Sequence, residues 1–481
     1  MDWVRVMQKM LIGGHLIGAE QWLEVLDPYR GEEIDRVARG AAPHVSQAVK
    51  LARYGAEQMR QMPLSQRAAI LRQVAHLLRQ EYQSLAALLV QETGKRIVEA
   101  RAEVDRAITL FELGAEACLH PRAYQFPPES FTDGASRFGF WGREPMGVVG
   151  AILAFNLPLA HAAQKIAPAL AAGNAIIIKP SREAPLTCLR LGLLLYRAGV
   201  PPEALSVITG IGEEVGQALA AEPEIDLLVF TGSREVGQSL ATLGGAKRIE
   251  MELDAMSILV VTPSADPQTM AELITRCGFT LSGQTPTAIQ HVMVHESLHD
   301  RLLEYLVPMV EALQPGDPLE ETTALAPLIN AQAVQRIDEW VQEAIQNGAQ
   351  LLTGGRSEPP FYLPTLLRDV PVEVRLYREA VFGPVVLIQP YRTLEEAIAR
   401  INQFDIDLHT AIYTRELEEA FAFARSVRAV SVHINDSPAL HLDPIVRRDL
   451  QEHHMCFEDM LQRIERMSIP KYVGFGIGNQ Q

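Results

Sequence analysis

A Gly-Ser turn near the middle of the chain has residue types and spacing suited to binding a phosphate group. Gly232 and Ser233, in the stretch FTGSREVG, follow an apolar run and precede a helix-forming segment. A strand that ends in such a turn directs backbone N–H groups at an anion, so a cofactor phosphate is a fitting ligand. The same pattern is also typical of an ordinary strand-to-helix turn that binds nothing.

A second group of candidates follows the apolar run AIII, where Lys179, Ser181 and Arg182 lie in KPSREAP. These residues stand at the end of a predicted strand, as the Gly-Ser turn does, and are therefore candidate cofactor-binding residues. Taken alone, Lys179 also fits a surface lysine whose aliphatic stem lies along apolar neighbours.

The segment 280–294, TLSGQTPTAIQHVMV, joins a polar turn to an apolar run, with Pro286 at the junction. A proline at such a place is either ordinary turn punctuation or the replacement of a residue that does chemistry. The choice between these interpretations depends on the rest of the chain.

The predicted elements around these residues are helices first, then a hairpin, then strands that alternate with helices. Residues 43–118 carry apolar residues at three- and four-residue spacings, which predicts long surface helices. Prolines and an Asp-Gly pair in 121–142 predict an extended hairpin. From Met146 apolar strands alternate with helices, which predicts a doubly wound α/β domain whose parallel sheet is covered on both faces. A second alternating region, which runs to about His433, predicts a second α/β domain. Ligands of such sheets bind beyond the carboxyl ends of the strands.

The composition predicts a folded, acidic protein of two or more domains. The chain has 481 residues, 48% of them hydrophobic, and one core rarely grows beyond roughly 250 to 300 residues. Acidic residues number 59 and basic residues 43, for a formal charge of -16. That charge repels phosphate backbones and anionic lipid surfaces, so neither nucleic acid nor a membrane is expected as a partner.

The cysteines and the apolar runs predict a soluble protein of a reducing compartment. Cys118, Cys188, Cys277 and Cys456 are widely separated and show no metal-ligand pairing, which favours the cytoplasm. We find no signal-peptide pattern and no run of about 18 apolar residues, which predicts an unprocessed chain without a membrane span.

Seven stretches, taken in order, resemble the aldehyde dehydrogenase superfamily: REPMGVVGAILAFNLPL, APALAAGNAIIIKPS, FTGSREVG, MEL, SGQ, REAVFGPV and INDSP. The resemblance covers almost the whole chain, and INDSP is most similar to the lactaldehyde dehydrogenase branch. It implies an α/β fold with a Rossmann-type dinucleotide-binding domain at 1–120 and 143–250. It further implies a catalytic-type α/β domain at 251–433 and a small β oligomerisation element at 121–142 and 434–481.

The resemblance also implies a mechanism whose parts can be located here. Members of this family oxidise aldehydes through a cysteine thiolate and pass a hydride to NAD or NADP. The oxyanion amide corresponds to Asn156 and the general base to Glu252, and the nucleophile follows that base by 34 residues, where this chain has Pro286. Proline has neither a thiol nor a backbone N–H, so it removes the nucleophile and one oxyanion donor, a donor worth about 10² to 10³ in rate. Cys277 lies too early, inside the preceding helix, to take over.

Other family positions differ as well. Asp254 and Ala255 replace the glycine pair after the base, and Ala380 replaces the glutamate that holds the nicotinamide ribose, whereas Phe382 beside it is retained. Arg182 replaces the glutamate that commonly bonds the adenosine ribose; it either pairs with a 2′-phosphate and favours NADP, or faces solvent. An NAD or NADP site is therefore implied, with binding weakened or lost. Its residues are Lys179, Ser181, Arg182, Gly232, Ser233 and Phe382.

The C-terminal region departs furthest from the family, because a glycine-rich segment is replaced by PIVRRDLQEHHMCFEDMLQR. This stretch is charged and helix-prone. HHMC within it has metal-ligand residue types, but adjacent histidines rarely face one ion, so a solvated helix without a metal is predicted.

These differences lead to two hypotheses. The first is a pseudoenzyme that keeps the fold for binding, regulation or assembly. The alternative is an active NAD(P)-dependent oxidoreductase or esterase that uses Glu252 as base without a thiol. Several separate losses that serve one reaction favour the first.

The partner prediction rests on the family's oligomerisation strands, which 121–142 and the stretch MSIPKYVGF resemble. A homo-oligomer, either dimer or tetramer, is implied, with a hetero-oligomer containing an active paralogue as the alternative.

Overall fold

The structure is a computed structural model that describes residues 8–126, 137–438 and 452–476, with the backbone alone for 137 and 452–456. The strands are β1 (Met10–Ile12), β2 (His15–Ile17), β3 (Trp22–Leu26), β4 (Glu33–Ala38), β5 (Tyr124–Phe126), β6 (Arg137–Pro145), β7 (Val148–Ile152), β8 (Ala175–Lys179), β9 (Leu205–Val207), β10 (Leu227–Gly232), β11 (Arg248–Leu253), β12 (Ala255–Val261), β13 (Ile289–His295), β14 (Gln350–Thr353), β15 (Ser357–Glu358), β16 (Phe361–Tyr362), β17 (Thr365–Arg368), β18 (Val385–Tyr391), β19 (Asp407–Tyr413), β20 (Ser431–Ile434) and β21 (Ser468–Gly476). The helices are α1 (Ala42–Gln61), α2 (Leu64–Gln80), α3 (Tyr82–Thr93), α4 (Ile97–Cys118), α5 (Pro158–Ala172), α6 (Leu186–Arg197), α7 (Gln217–Ala221), α8 (Arg234–Gly244), α9 (Pro267–Gly278), α10 (His299–Glu311), α11 (Ala331–Gln346), α12 (Arg375–Arg378), α13 (Leu394–Ile401), α14 (Leu417–Ser426) and α15 (Glu452–Arg466).

The first sheet has the strand order β11-β10-β7-β8-β9-β1-β2. Strands β7 to β11 run parallel, whereas β1 is antiparallel to both its neighbours. Every residue of β7 and β8 is buried, as expected of parallel strands covered by helices on both faces. From β7 the chain adds β8 and β9 on one side of the sheet and then β10 and β11 on the other. The strand order therefore reverses between β7 and β10. A crevice beyond their carboxyl ends is where such a sheet binds ligands.

The second sheet has the strand order β14-β17-β18-β13-β12-β19-β20. All of its pairs are parallel except that of β14 with β17. The interior strand β12 is fully buried. Helices α9 and α11 each begin at a side-chain cap. The Asp266 carboxylate accepts from Thr269 N at 2.9 Å, and the Asn330 side-chain oxygen accepts from Ala333 N at 2.8 Å. The predicted α/β class, with two sheets that are mostly parallel, is confirmed.

The prediction of surface helices over 43–118 is wrong for α4. Its residues Glu103 and Phe111 have no exposed surface, because α2, α3, α5 and α15 all pack around it. The 3.6-residue period was read correctly as helical, but a helix surrounded by others needs apolar or paired side chains on more than one face.

Strand β11 extends the first sheet beyond what the strand prediction included. It pairs with β10 from Arg248 to Leu253, and so it crosses residue 250, the predicted end of the dinucleotide-binding domain. Glu252 therefore lies at the carboxyl end of a parallel strand, beside the end of β10.

The segment 121–142 contributes to an antiparallel sheet of β21, β6 and β5. Tyr124 faces Trp141 across β5 and β6, and Tyr472 faces Trp141 from β21. The ten residues 127–136 of the predicted hairpin lie outside the described residues.

Helix α15 is not the solvated helix that the sequence predicts. Met460 and Leu461 are buried, because this face packs against α4 and α5. The side chains of the HHMC motif lie outside the described residues. Across the parts of the chain that the structure describes, three or more His, Cys, Asp or Glu side chains never gather as a metal ion would require. Within the same residues, every helix is too short or too polar to cross a membrane.

Candidate functional site

Asn156 lies just beyond the end of β7, in a segment held by a buried ion pair. The Lys95 ammonium donates to the Asn156 carbonyl oxygen at 2.6 Å and is paired with the Glu103 carboxylate. The other Glu103 oxygen accepts from the first N–H groups of α5, Leu159 N at 2.8 Å and Ala160 N at 3.1 Å. One carboxylate therefore fixes both the lysine beneath Asn156 and the helix that follows it. The Asn156 side-chain oxygen is buried and has no hydrogen-bond partner among the residues that the structure describes.

Glu252 is bound by three side chains from three other elements. Lys165 Nζ of α5 lies 2.5 Å from Glu252 Oε2, and the Thr231 hydroxyl of β10 donates to the same oxygen at 3.0 Å. Arg463 of α15 donates from Nη1 to Glu252 Oε1 at 3.2 Å, and its Nε bonds Asp459 at 2.7 Å. Both carboxylate oxygens are therefore engaged within the protein.

These cations determine the protonation of the site. Burial opposes ionisation of Glu252, but Lys165 and Arg463 outweigh it and lower the pKa of Glu252 to about 2. Burial and the Lys165 charge also lower the pKa of His161 to about 3, so this imidazole is neutral at pH 7. A carboxylate with so low a pKa is a weak base at neutral pH.

Pro286 ends a loop with unusual backbone geometry. Leu281, Ser282 and Gly283 have φ angles of 51°, 53° and 73°, three left-handed residues in succession. The Ser282 hydroxyl donates to the Ala326 carbonyl at 2.7 Å, and the Ser257 hydroxyl of β12 donates to the Pro286 carbonyl at 3.0 Å. The surrounding hydrogen bonds thus hold the loop in a conformation that a free chain disfavours.

Both altered and retained family positions line a small cavity. Pro286, Ala380 and Phe382 contribute to its wall. The Phe382 ring meets the Phe155 ring edge to face at a centroid distance of 5.9 Å, and Phe155 immediately precedes Asn156. The structure therefore brings the Asn156 segment, the Pro286 loop and the Phe382 segment to one place.

Cys277 is buried in the core and is not among the residues that line that cavity. It lies near the end of α9, only 4% exposed, in a cluster with Ile274, Phe279 and Ile289. Its sulfur accepts from the Ser437 hydroxyl at 3.1 Å. A thiol in these surroundings is a packed core group.

Lys179, at the end of β8, is not a surface lysine. It is 5% exposed, and burial, opposed by Glu183 and Glu213, lowers its pKa to about 8. The Ser181 hydroxyl donates to the Glu183 carboxylate at 2.6 Å, whereas Arg182 is exposed. The geometry leaves both predicted roles of Arg182 open.

The helix behind this segment is held by a second buried carboxylate. Glu92 of α3 has no exposed surface and accepts from Leu186 N at 2.8 Å and Thr187 N at 3.0 Å, at the start of α6. Burial raises the pKa of Glu92 to about 7 despite these bonds.

The Gly232-Ser233 turn does begin a helix, as predicted. The Ser233 hydroxyl accepts from Val236 N at 3.4 Å and so caps α8. A second oxygen lies there too, because Asp254 Oδ2 accepts from Arg234 N at 3.3 Å. The candidate anion site at this helix start therefore already contains a carboxylate of the same chain.

Of the residues that would hold NAD or NADP, some are retained and others are altered. At the start of α8, Asp254 stands where N–H groups would receive a phosphate. The Ala380 methyl group offers no acceptor for ribose hydroxyls. Phe382 and the buried Lys179 remain beside these positions.

The sequence analysis missed four residues that shape the site: Lys165, Arg463, Lys95 and Glu103. Lys165 left a signal, since it is a lone cation in the apolar helix segment PLAHAAQKIAPALAAG. Arg463 left none, because it is one of many charged residues in the rewritten C-terminal stretch.

Comparison with known proteins agrees with this architecture. The sequence model of the Aldehyde dehydrogenase family matches residues 17–445. The chain is 32% identical over 434 residues to the 3-sulfolactaldehyde dehydrogenase of Priestia megaterium, covering 90% of this chain and 91% of the relative. It is 32% identical over 464 residues to the lactaldehyde dehydrogenase of Methanocaldococcus jannaschii, covering 95% and 98%.

A solved structure shows the same fold. The crystal structure of aldehyde dehydrogenase 21 from Physcomitrella patens, in complex with the reaction product succinate, superimposes with a TM-score of 0.91 at 28% sequence identity. The match covers 99% of this chain and 100% of the moss protein. With the family match over most of the sequence, the chain belongs to the aldehyde dehydrogenase family.

Proposed function

We propose that this member of the family does not oxidise aldehydes by the thiol-dependent route and keeps the fold for a binding, regulatory or assembly role. The observation that carries the proposal is Pro286, which lies 34 residues after Glu252, in the SGQ-containing loop and on the wall of the cavity beside Phe382. A proline offers neither a nucleophile nor an N–H donor for an oxyanion.

The state of Glu252 supports the same proposal. In a thiol-independent oxidoreductase or esterase, this carboxylate would have to accept a proton from water. Its pKa of about 2 and its bonds to Lys165, Thr231 and Arg463 disfavour that role. The alternative of a Glu252-dependent enzyme therefore has less support than loss of the reaction.

An assay of hydride transfer tests the proposal directly. We expect the purified protein to form no reduced NAD or NADP from a panel of aldehydes that includes lactaldehyde and 3-sulfolactaldehyde, because the cavity has no thiol. Absorbance of the reduced nicotinamide is the measurement, with an active relative under the same conditions as the positive control.

Two variants make the outcome specific. Cys277→Ser removes the buried thiol of α9, and Pro286→Cys introduces one in the cavity. Wild-type turnover that persists in Cys277→Ser would exclude Cys277 as the nucleophile, and turnover that disappears would support Cys277 in that role. Either result would refute the proposed loss of activity.

We also propose that two exposed surfaces join copies of this chain. The sheet of β5, β6 and β21 exposes Tyr124, Trp141 and Phe475 by 60%, 37% and 50%. The edge strand β20 exposes Ile434, and α14 near it exposes Leu417 by 71%. Aromatic faces and open strand edges of this kind favour pairing with another subunit.

Light scattering coupled to gel filtration tests this association. A dimer or tetramer is expected at micromolar concentration, and Trp141→Glu is expected to shift it towards the monomer because a charge replaces an exposed aromatic ring. A matched variant, Tyr54→Glu, changes a 70% exposed ring on α1 instead and should leave the mass unchanged. A monomeric wild type would contradict the association.

A further inference from the structure

Asp254 connects the end of β11 to the start of α8. It directly follows Leu253, the last residue of β11, and its Oδ2 accepts from the backbone N–H of Arg234, the first residue of α8, at 3.3 Å. The contact joins residues 20 positions apart. It places a carboxylate at the positive end of the helix dipole.

The start of α8 is therefore supplied with acceptors by the protein itself. The first backbone N–H groups of a helix have no partner within the helix and are the groups that bind phosphate. Here Arg234 N is bonded to Asp254 and Val236 N to the Ser233 hydroxyl. A phosphate at this place would have to displace the carboxylate and then lie beside its negative charge.

Arg336 and Arg234 are the cations whose charges act on Asp254, and within the described residues neither forms a direct ion pair with it. Arg336 Nη2 donates to the Val381 carbonyl at 2.8 Å, and Arg463 is shared between Glu252 and Asp459. Burial raises the pKa of Asp254, and the charges of Arg336 and Arg234 offset this only in part. Because neither cation contacts the carboxylate, an anion placed beside it would meet an acceptor group and its negative charge.

We infer that the Asp254 carboxylate occupies the position at the start of α8 where a nucleotide phosphate would bind. It thereby lowers the affinity of this position for phosphorylated nucleotides. The inference rests on the proposed function, since it assumes that the cleft no longer serves hydride transfer. It narrows that function to ligands without a phosphate group at the start of α8. A nucleoside would meet no such repulsion.

The test compares ADP with adenosine, because this pair differs only in phosphate and does not reach the altered Ala380 position. Isothermal titration calorimetry with the full-length wild type is expected to give a larger dissociation constant for ADP than for adenosine, because only ADP meets the Asp254 carboxylate. In Asp254→Asn and Asp254→Gly, ADP is expected to bind about ten-fold more tightly than adenosine, because the helix N–H groups are freed and the repulsion is removed.

A matched variant controls for net charge. Glu250→Gln removes a carboxylate two residues before Glu252 on the same strand, where it pairs with Arg248 at 3.0 Å and not with α8. It should leave the ratio of the two constants at the wild-type value. Melting temperatures of all variants identify any that fail to fold.

Three results would overturn the inference. They are a wild type that binds ADP as tightly as adenosine or more tightly, an unchanged ratio in both Asp254 variants, and no detectable ADP binding by folded Asp254 variants at millimolar concentration. None of these depends on turnover, so the inference can fail while the proposed loss of aldehyde oxidation stands.

Discussion

Replacing Glu103 with alanine is expected to lower the free energy of unfolding by about 3 to 5 kcal/mol. The side chains of Lys95 and Glu103 are 3% and 0% exposed, so the substitution leaves a buried ammonium without its counter-charge. It also removes the acceptor for Leu159 N and Ala160 N at the start of α5. Few single changes in the chain remove so many buried bonds at once.

The matched control is Glu112→Ala on the same helix. Glu112 is 47% exposed and pairs with Arg79 at the surface, so its removal should cost no more than about 1 kcal/mol. Urea denaturation followed by circular dichroism measures both. Equal losses in the two variants would show that the Lys95–Glu103 pair is not buried as described.

Glu103 also has a consequence for the candidate site. Lys95 donates to the Asn156 carbonyl only while its ammonium is held in place, so the alanine variant should loosen the segment after β7. Hydrogen exchange measured by mass spectrometry should therefore rise in peptides covering 153–160, and remain unchanged there in Glu112→Ala.

Much of the fold could be predicted from the sequence because local residue patterns indicate which segments form helices and which form buried strands. The continuous apolar runs of β7 and β8, bounded by glycine and proline, are what buried parallel strands require. Strand β11 was missed because RIEMEL contains charged residues, which signal a surface and not a strand of a parallel sheet. Its place at the sheet edge, where Glu252 meets Lys165, explains those charges.

The candidate site could be predicted only in part. Ordered motifs predict Asn156, Glu252 and Pro286 as site residues, and the structure brings the Asn156 and Pro286 segments together beside Phe382. The partners of Glu252 could not be found, because Arg463 is 211 residues away in sequence and its approach depends on how α15 packs against α5. The effect of Asp254 likewise depends on a contact between two elements that no local pattern encodes.

Gly283→Ala is expected to disrupt the loop that carries Pro286. Gly283 has a φ of +73°, which disfavours a side chain, and an added Cβ would lie 1.9 Å from the Gly383 carbonyl oxygen and 2.3 Å from its carbon. Both are backbone atoms next to Phe382, so no flexible side chain can yield. The expected cost is about 3 kcal/mol or more, of which only about 1 to 2 kcal/mol is the left-handed backbone.

Gly31→Ala separates the clash from the backbone strain. Gly31 has a similar φ of +67° but no atom within 4 Å of the added Cβ, so its substitution should cost only the strain. Thermal unfolding of the two variants gives the comparison, and hydrogen exchange should increase over 279–290 and 380–386 in Gly283→Ala alone. Equal melting temperatures would mean that the two loops do not touch, and the cavity shared by Pro286, Ala380 and Phe382 would then lack the wall that defines it. A larger loss of stability in Gly283→Ala than in Gly31→Ala would support the close backbone contact between Gly283 and Gly383. The shape of the cavity would then depend on this contact, whether or not a thiol is present.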